Sequence, residues 1–266
     1  MPAQETINLK LVPISKLIPH EETVPQLSDR LARRMIRDGV QKDPIMVDEK
    51  SLIVLDGMHR LEALRRMGAK QAVCSLVDYA GDGVKLFRWF RLVENPRETF
   101  VSDMRRELEM TDEVSLSWSD AAFDSGLTLT HSGRAYVAKA GEGTDSVTKA
   151  VRKFDGMTRA AEMWIEYIDE GTASPELLKG NYMALLTPKF KKEEVINAAM
   201  QGRPFPPKTT LHVFPLRPMG INYPIEALRS QGDMLEKLLE TRRPRRIDAP
   251  SFYRGRLYRE PVVVFE

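Results

Sequence analysis

One cysteine in 266 residues, a net charge of only +2 and no apolar run of membrane-spanning length bound what this chain can be. A lone Cys74 excludes a disulfide framework and a cysteine-built zinc site. It lies in the apolar stretch Ala72 to Val77, which suits a buried small residue better than a nucleophile. Forty basic residues against thirty-eight acidic ones leave no bulk charge to hold nucleic acid. Met1 to Lys10 contains no apolar leader core, so the chain is expected to be cytoplasmic and to have no membrane partner. Hydrophobic residues at 42% and charged residues at 29% are ordinary for a globular chain long enough to bury a large core.

The chain is rich in punctuated short elements. Residues 7–12 alternate as a strand before Pro13, and Pro19-His20-Glu21-Glu22 reads as a polar loop. Leu27, Leu31, Met35 and Ile36 predict a helix over Gln26 to Asp38, closed by Gly39. Strands follow at Pro44 to Val47 and Leu52 to Leu55, then a helix ending at Gly68, then a strand from Ala72 to Tyr79. This order makes an α+β unit over residues 1–95. Residues 96–266 form a second α+β lobe, with a hairpin around Ser132-Gly133 between Thr128 to His131 and Arg134 to Lys139. Helices are expected at Pro96 to Leu108, Ser146 to Asp155, Arg159 to Tyr167, Lys191 to Gln201 and within Pro224 to Leu239. Tyr182 to Thr187 and Thr209 to Phe214 are expected to be extended. The cluster Arg242-Arg243-Pro244-Arg245-Arg246 reads as a solvated basic tail.

The densest chemistry is Asp56-Gly57-Met58-His59-Arg60, where the run Leu52 to Leu55 turns into a helix. A helix N-terminus presents free N–H groups and a positive dipole end, Gly57 permits close backbone approach, and Arg60 offers a planar fork. The point suits a phosphate. Asp56 can be an N-cap, or its carboxylate can meet a phosphate through a cation or a reacting hydroxyl, and the two roles are compatible. By residue type alone, Glu21 would be a solvated carboxylate, Trp89 a core residue and His212 a satisfied, half-buried histidine.

Strand, short Gly-X-His/Arg-Arg motif and helix together resemble the ParB/sulfiredoxin superfamily. Met58 stands where sulfiredoxins hold their catalytic cysteine, and the chain shows no helix-turn-helix such as follows ParB-type switches. The motif is most similar to that of the archaeal free L-serine kinases, Asp-Gly-His-His-Arg, with Met58 as the one departure. Pro19-His20-Glu21 resembles their Pro-His-Glu, whose glutamate activates the serine hydroxyl. Trp89 stands thirty-three residues after Asp56, like a tryptophan lining their serine pocket. Pro207-Lys208-Thr209-Thr210-Leu211-His212 resembles their Pro-Lys-Thr-Thr-Arg-His, with Leu211 for arginine. If extended, it places Lys208, Thr210 and His212 on one face.

The resemblance spans about residues 7–228. It implies a ParB/sulfiredoxin-like N-terminal unit, a second mixed α/β lobe and an active site in the cleft between them. It further implies phosphoryl transfer from ADP or ATP to free L-serine with Mg²⁺, Glu21 and Asp56 being catalytic and Asp56 touching the metal. Asp56, Gly57, Met58, His59 and Arg60 would hold the nucleotide, and Trp89, Lys208, Thr210 and His212 the serine. A nucleotide-responsive ParB-like DNA-binding regulator, or a kinase of this fold with another hydroxyl acceptor, are the alternatives.

Overall fold

The computed structural model describes residues 7–114, 126–138, 143–173 and 180–266. The first six residues, and the end of the expected hairpin at Lys139, lie outside them. The fold is mixed α and β, in two compact units that are each discontinuous in sequence. One comprises Met1–Lys85, Val195–Pro207 and His212–Glu266, the other Leu86–Glu194 and Lys208–Leu211. A single boundary near residue 95 does not describe this arrangement. The reason is hydrophobic: Ile221, Tyr223, Ile225, Leu228 and Leu235 bury into the same core as Ile45, Val47, Leu61, Leu64 and Val73.

In the first unit, β1 (Asn8–Pro13), β2 (Ile18–Pro19), α1 (Pro25–Asp38), β3 (Val40–Gln41), β4 (Ile45–Asp48), β5 (Ile53–Asp56), α2 (Met58–Arg66) and β6 (Gln71–Val77) follow one another. Five of these strands form a sheet in the order β1-β6-β4-β5-β2. β4 and β5 are buried on both faces, which accounts for their unbroken apolar runs. Pro25 starts α1 with a fixed φ, and Gly39 ends it at φ +69°. The buried stripe of α1 is Ser28, Ala32 and Met35, with Leu31 packed against the core. Leu27 and Ile36 are instead exposed, because the helix is rotated about one position from the face its largest apolar residues suggest.

The second unit is built on a sheet of β7 (Lys85–Glu94), β8 (Met110–Val114), β9 (Thr128–His131), β10 (Arg134–Ala138), β11 (Glu166–Asp169), β12 (Tyr182–Leu186) and β13 (Thr210–Val213), in the order β11-β7-β12-β9-β10-β8 with β13 on β7. α3 (Glu98–Glu107) and α4 (Thr144–Ala160) supply Val101, Met104, Val147, Val151 and Phe154 to the core against Val93, Met183, Leu185 and Leu129. The β9–β10 hairpin pairs His131 with Arg134, and Ser132 and Gly133 both adopt positive φ, as a two-residue turn of that kind demands. The helix expected over Arg159 to Tyr167 is not formed. α4 runs on to Ala160, and Tyr167 and Ile168 pair instead with Arg91 and Phe90 of β7. A long-range strand partner outweighs local helical spacing there.

The chain then gives α5 (Lys192–Met200), β14 (Arg217–Met219), β15 (Tyr223–Pro224), α6 (Ile225–Ser230), α7 (Leu235–Glu240), β16 (Pro244–Ile247), β17 (Ser251–Tyr253), β18 (Arg256–Tyr258) and β19 (Val262–Phe265). The basic cluster is therefore no free tail: Pro244 to Ile247 pair antiparallel with Phe265 to Val262, and β14 flanks β19 on its other side. Arg245 and Arg246 stay exposed while their backbone is paired. No helix among the described residues is long and apolar enough to cross a membrane.

Candidate active site

β5 ends at Asp56, and Gly57 is the N-cap of α2 at φ +104° and ψ 24°. That conformation, which L side chains rarely adopt, turns the chain so that the first free N–H groups of α2 follow directly on the strand. A Cβ at position 57 would stand 2.8 Å from Arg60 Nη1, and that nitrogen donates to Pro44 O at 2.7 Å. Gly57→Ala should therefore cost about 1–2 kcal/mol from the backbone alone and push the Arg60 guanidinium off Pro44. Urea unfolding checks the first effect and nucleotide titration the second; unchanged values in both would refute this account of Gly57. Met58 packs its side chain against the core of the first unit, so what it can offer a ligand is its backbone N–H.

Asp56 does not cap the helix, since no side chain makes the cap hydrogen bond. Its Oδ2 instead accepts from Arg217 Nη1 at 2.6 Å, and Arg217 Nε donates to Glu260 Oε1 at 2.5 Å. Arg217 and Glu260 are buried, whereas 32% of the Asp56 side chain is open. Desolvation pushes the Asp56 carboxyl up, but the guanidiniums of Arg217, Arg60 and Arg256 outweigh it and hold the group well below the usual carboxylate range. The sign of the pH dependence follows. The unfolded chain takes this proton first, near pH ~3.9, so the stabilisation is complete above that pH and is lost as pH falls towards the depressed folded value. Arg217→Met should flatten this acid-side loss in urea midpoints taken between about pH 5 and 2. An unchanged slope would remove Arg217 as its cause.

The Pro-His-Glu loop is not solvated. His20 and Glu21 are buried, and the backbone of residues 20–22 exchanges hydrogen bonds of 2.8 Å with Phe205 on both sides. Two further bonds tie this loop to the strand–helix turn. His20 Nδ1 lies 2.5 Å from Val54 O, two residues before Asp56, and Val24 N–H donates to His59 Nε2 at 3.1 Å. The second bond needs a bare Nε2, so the proton of a neutral His59 sits on Nδ1. His212 joins the same group: its Nε2 is 2.9 Å from Tyr79 Oη, and its ring meets His20 edge-on at 5.0 Å. Glu21, Asp56, His59 and His212 thus all belong to the first unit and are linked through His20, Val24 and Val54.

Trp89, Lys208 and Thr210 belong to the second unit. Lys208 does not lie in the expected strand. It adopts φ +59° in a turn before β13, and its Nζ sits 4.6 Å from the Trp89 ring centroid. Thr210 and His212, both buried, do alternate along β13. The Lys208 turn is fixed by Arg91, whose Nη1 donates to Lys208 O at 3.2 Å, and by Trp89 N–H on Thr209 O. Arg91 is itself fully buried and bidentate on Asp155, at 2.7 and 3.3 Å.

Among the described residues no group of three His, Cys, Asp or Glu side chains gathers as a metal cage would require. Mg²⁺ beside phosphates needs less, one or two carboxylates completed by phosphate oxygens and water. The ionised Asp56 fits that demand, with Oδ1 outside the Arg217 bond. Cys74 is buried, and burial pushes its thiol up to about 12, which excludes a thiolate nucleophile. Sequence reasoning missed Arg217, Glu260 and Tyr79. Arg217 sits in a Pro/Gly-rich stretch far from Asp56 in sequence, and its only signal was being a charged residue among apolar ones.

No family model matches the chain. It is 24% identical over 229 residues to the ADP-dependent L-serine kinase SerK of Thermococcus kodakarensis, which covers 84% of this chain and 93% of that one. It is 28% identical over 232 residues to an ATP-dependent L-serine kinase of Staphylothermus marinus, covering 82% and 90%. A solved free serine kinase variant in complex with AMP superposes with a TM-score of 0.70 at 21% identity, over 84% of this chain and 95% of that one. The resemblance read from four short motifs is therefore present along most of the chain, and the fold is that of the free serine kinase structures.

Proposed function

We propose that this chain transfers the terminal phosphoryl group of ADP or ATP to the hydroxyl of free L-serine, giving O-phospho-L-serine and AMP or ADP. The observation that carries the reading is the pair of hydrogen bonds, His20 to Val54 O and Val24 N–H to His59, that fasten the Glu21 loop to both flanks of the phosphate-type turn. A carboxylate and an anion cradle held in one network are what an in-line displacement needs, since such catalysis is chiefly positioning and charge stabilisation. Names of relatives that match more than four-fifths of the chain point the same way.

In this reading the N–H groups of Gly57, Met58 and His59, with His59 Nδ1–H and Arg60, hold the phosphates. Glu21 accepts the serine hydroxyl proton as the serine oxygen bonds to phosphorus and the bridging P–O bond to the departing nucleotide breaks. Mg²⁺, held by Asp56, supplies charge neutralisation on the phosphates when bound. Arg217 keeps Asp56 ionised for that task. To Lys208, Thr210 and His212 we assign the serine carboxylate, and to Trp89 a wall of the serine pocket. The decisive assay incubates the protein with L-serine, Mg²⁺ and either ADP or ATP, and measures O-phosphoserine together with AMP or ADP. Product with at least one donor is expected; none with either would refute the reading.

A further inference from the structure

A second polar cavity lies within the second unit, lined by residues to which the kinase reading gives no role. It has a volume of about 450 Å³, within the range of small-molecule sites, and lies between α3 and the β9–β10 hairpin. α3 presents Glu98, Ser102 and Arg105 to it, one face at steps of four and three residues. The hairpin presents His131, Ser132, Arg134 and Tyr136. We propose that this cavity binds a small phosphomonoester.

The lining is rich in donors and net positive. The Arg105 guanidinium carbon lies over the Tyr136 ring, 3.6 Å from the centroid. Stacking occupies the guanidinium face and leaves the N–H edge to hydrogen-bond in plane. Its Nε is buried and has no acceptor among the described residues, and a buried orphan donor is costly unless a ligand meets it. His131, itself buried, is held by Tyr182 O at 3.1 Å from Nδ1, which leaves Nε2 towards the cavity. Glu98 Oε1 lies 3.0 Å from that Nε2, and Ser132 Oγ 3.3 Å. The Glu98 side chain is 81% exposed, so it can swing into water, and its present oxygen marks where a ligand oxygen would sit. Two guanidiniums and two hydroxyls against one displaceable carboxylate match a dianion with three acceptor oxygens better than a carboxylate with two.

The test is residue-resolved and independent of kinase activity. The ¹⁵N-labelled full chain is titrated at constant ionic strength with inorganic phosphate, methyl phosphate or acetate. The Arg105 Nε–H resonance and the amides of Ser102, Ser132 and Arg134 are followed. Saturable shifts with both phosphates and not with acetate are expected. Arg134→Ala, at an exposed position, should weaken binding about 10- to 100-fold, the loss of one charged hydrogen-bonding partner. Arg105→Gln should do the same and serves as the second variant. No shifts at these residues, equal shifts with acetate, or unweakened binding in both variants would each overturn the proposal.

Discussion

With Glu21 as the proposed base, Glu21→Gln is expected to lower O-phosphoserine formation by ~10²–10⁴-fold, the range for loss of a general base, and to leave nucleotide affinity nearly unchanged. The split follows from where Glu21 sits. It is buried in a loop whose backbone is pinned to Phe205, and its neighbours His20 and Val24 make bonds to the strand–helix turn. The amide of glutamine keeps the shape and leaves those bonds in place, so the turn at residues 57–60 stays formed. What is lost is the ability to take a proton. Single-turnover rates with L-serine, beside calorimetric titration with ADP and ATP, separate the two effects. A variant that turns over within a few-fold of the parent would remove Glu21 as the base while leaving the kinase reading standing. One that also loses nucleotide affinity would show the loop to be a structural strut.

Asp155→Ala should produce the largest stability loss in the second unit, about 3–5 kcal/mol, the cost of stranding a buried charge. Its partner Arg91 is fully buried beneath α4, and the bidentate pair is what compensates its guanidinium. Desolvation of a lone Arg91 has no remedy by proton release, because arginine stays charged. The contrast is with the double variant Arg91→Met, Asp155→Leu, which removes both charges and should recover most of the loss. Denaturant midpoints of the three proteins decide the matter. A single variant within about 1 kcal/mol of the parent, the usual cost of an ordinary substitution, would mean the pair is not the keystone its burial indicates. Because Arg91 also bonds Lys208 O, the single variant should loosen the Lys208 turn as well, visible as faster amide exchange at Thr209 and Thr210.

Much of the first unit was legible because its signals are local. Pro25 and Gly39 bracket α1 by fixed and positive φ, and Asp56-Gly57 announces a strand turning into a helix. The Ser132-Gly133 turn was equally plain, two residues with positive φ between alternating strands. The errors share one cause, a partner distant in sequence. The spacing over Arg159 to Tyr167 is helical, but residues 166–169 extend because β7 offers them a ladder, and the cluster Arg242 to Arg246 looks like a solvated tail but Pro244, Arg245 and Arg246 pair with β19. Lys208 was expected to continue a strand, yet Arg91 and Trp89 hold it in a turn.

The sequence by itself determined the chemistry available: a glycine-hinged strand–helix turn suited to an anion, an acidic loop, a basic and hydroxyl-bearing segment, and no cysteine-built metal site. Those are properties of residue types and short spacings, which need no tertiary partner to be read. Only the tertiary structure decided what state those groups are in. It took Asp56 from a helix cap to an ionised carboxylate clamped by Arg217, buried Glu21 beside Phe205, and set His59 as an acceptor for the loop that carries Glu21. Each of those outcomes depends on burial and on charges brought in from remote parts of the chain, and neither quantity is encoded within a few residues of the group it acts on.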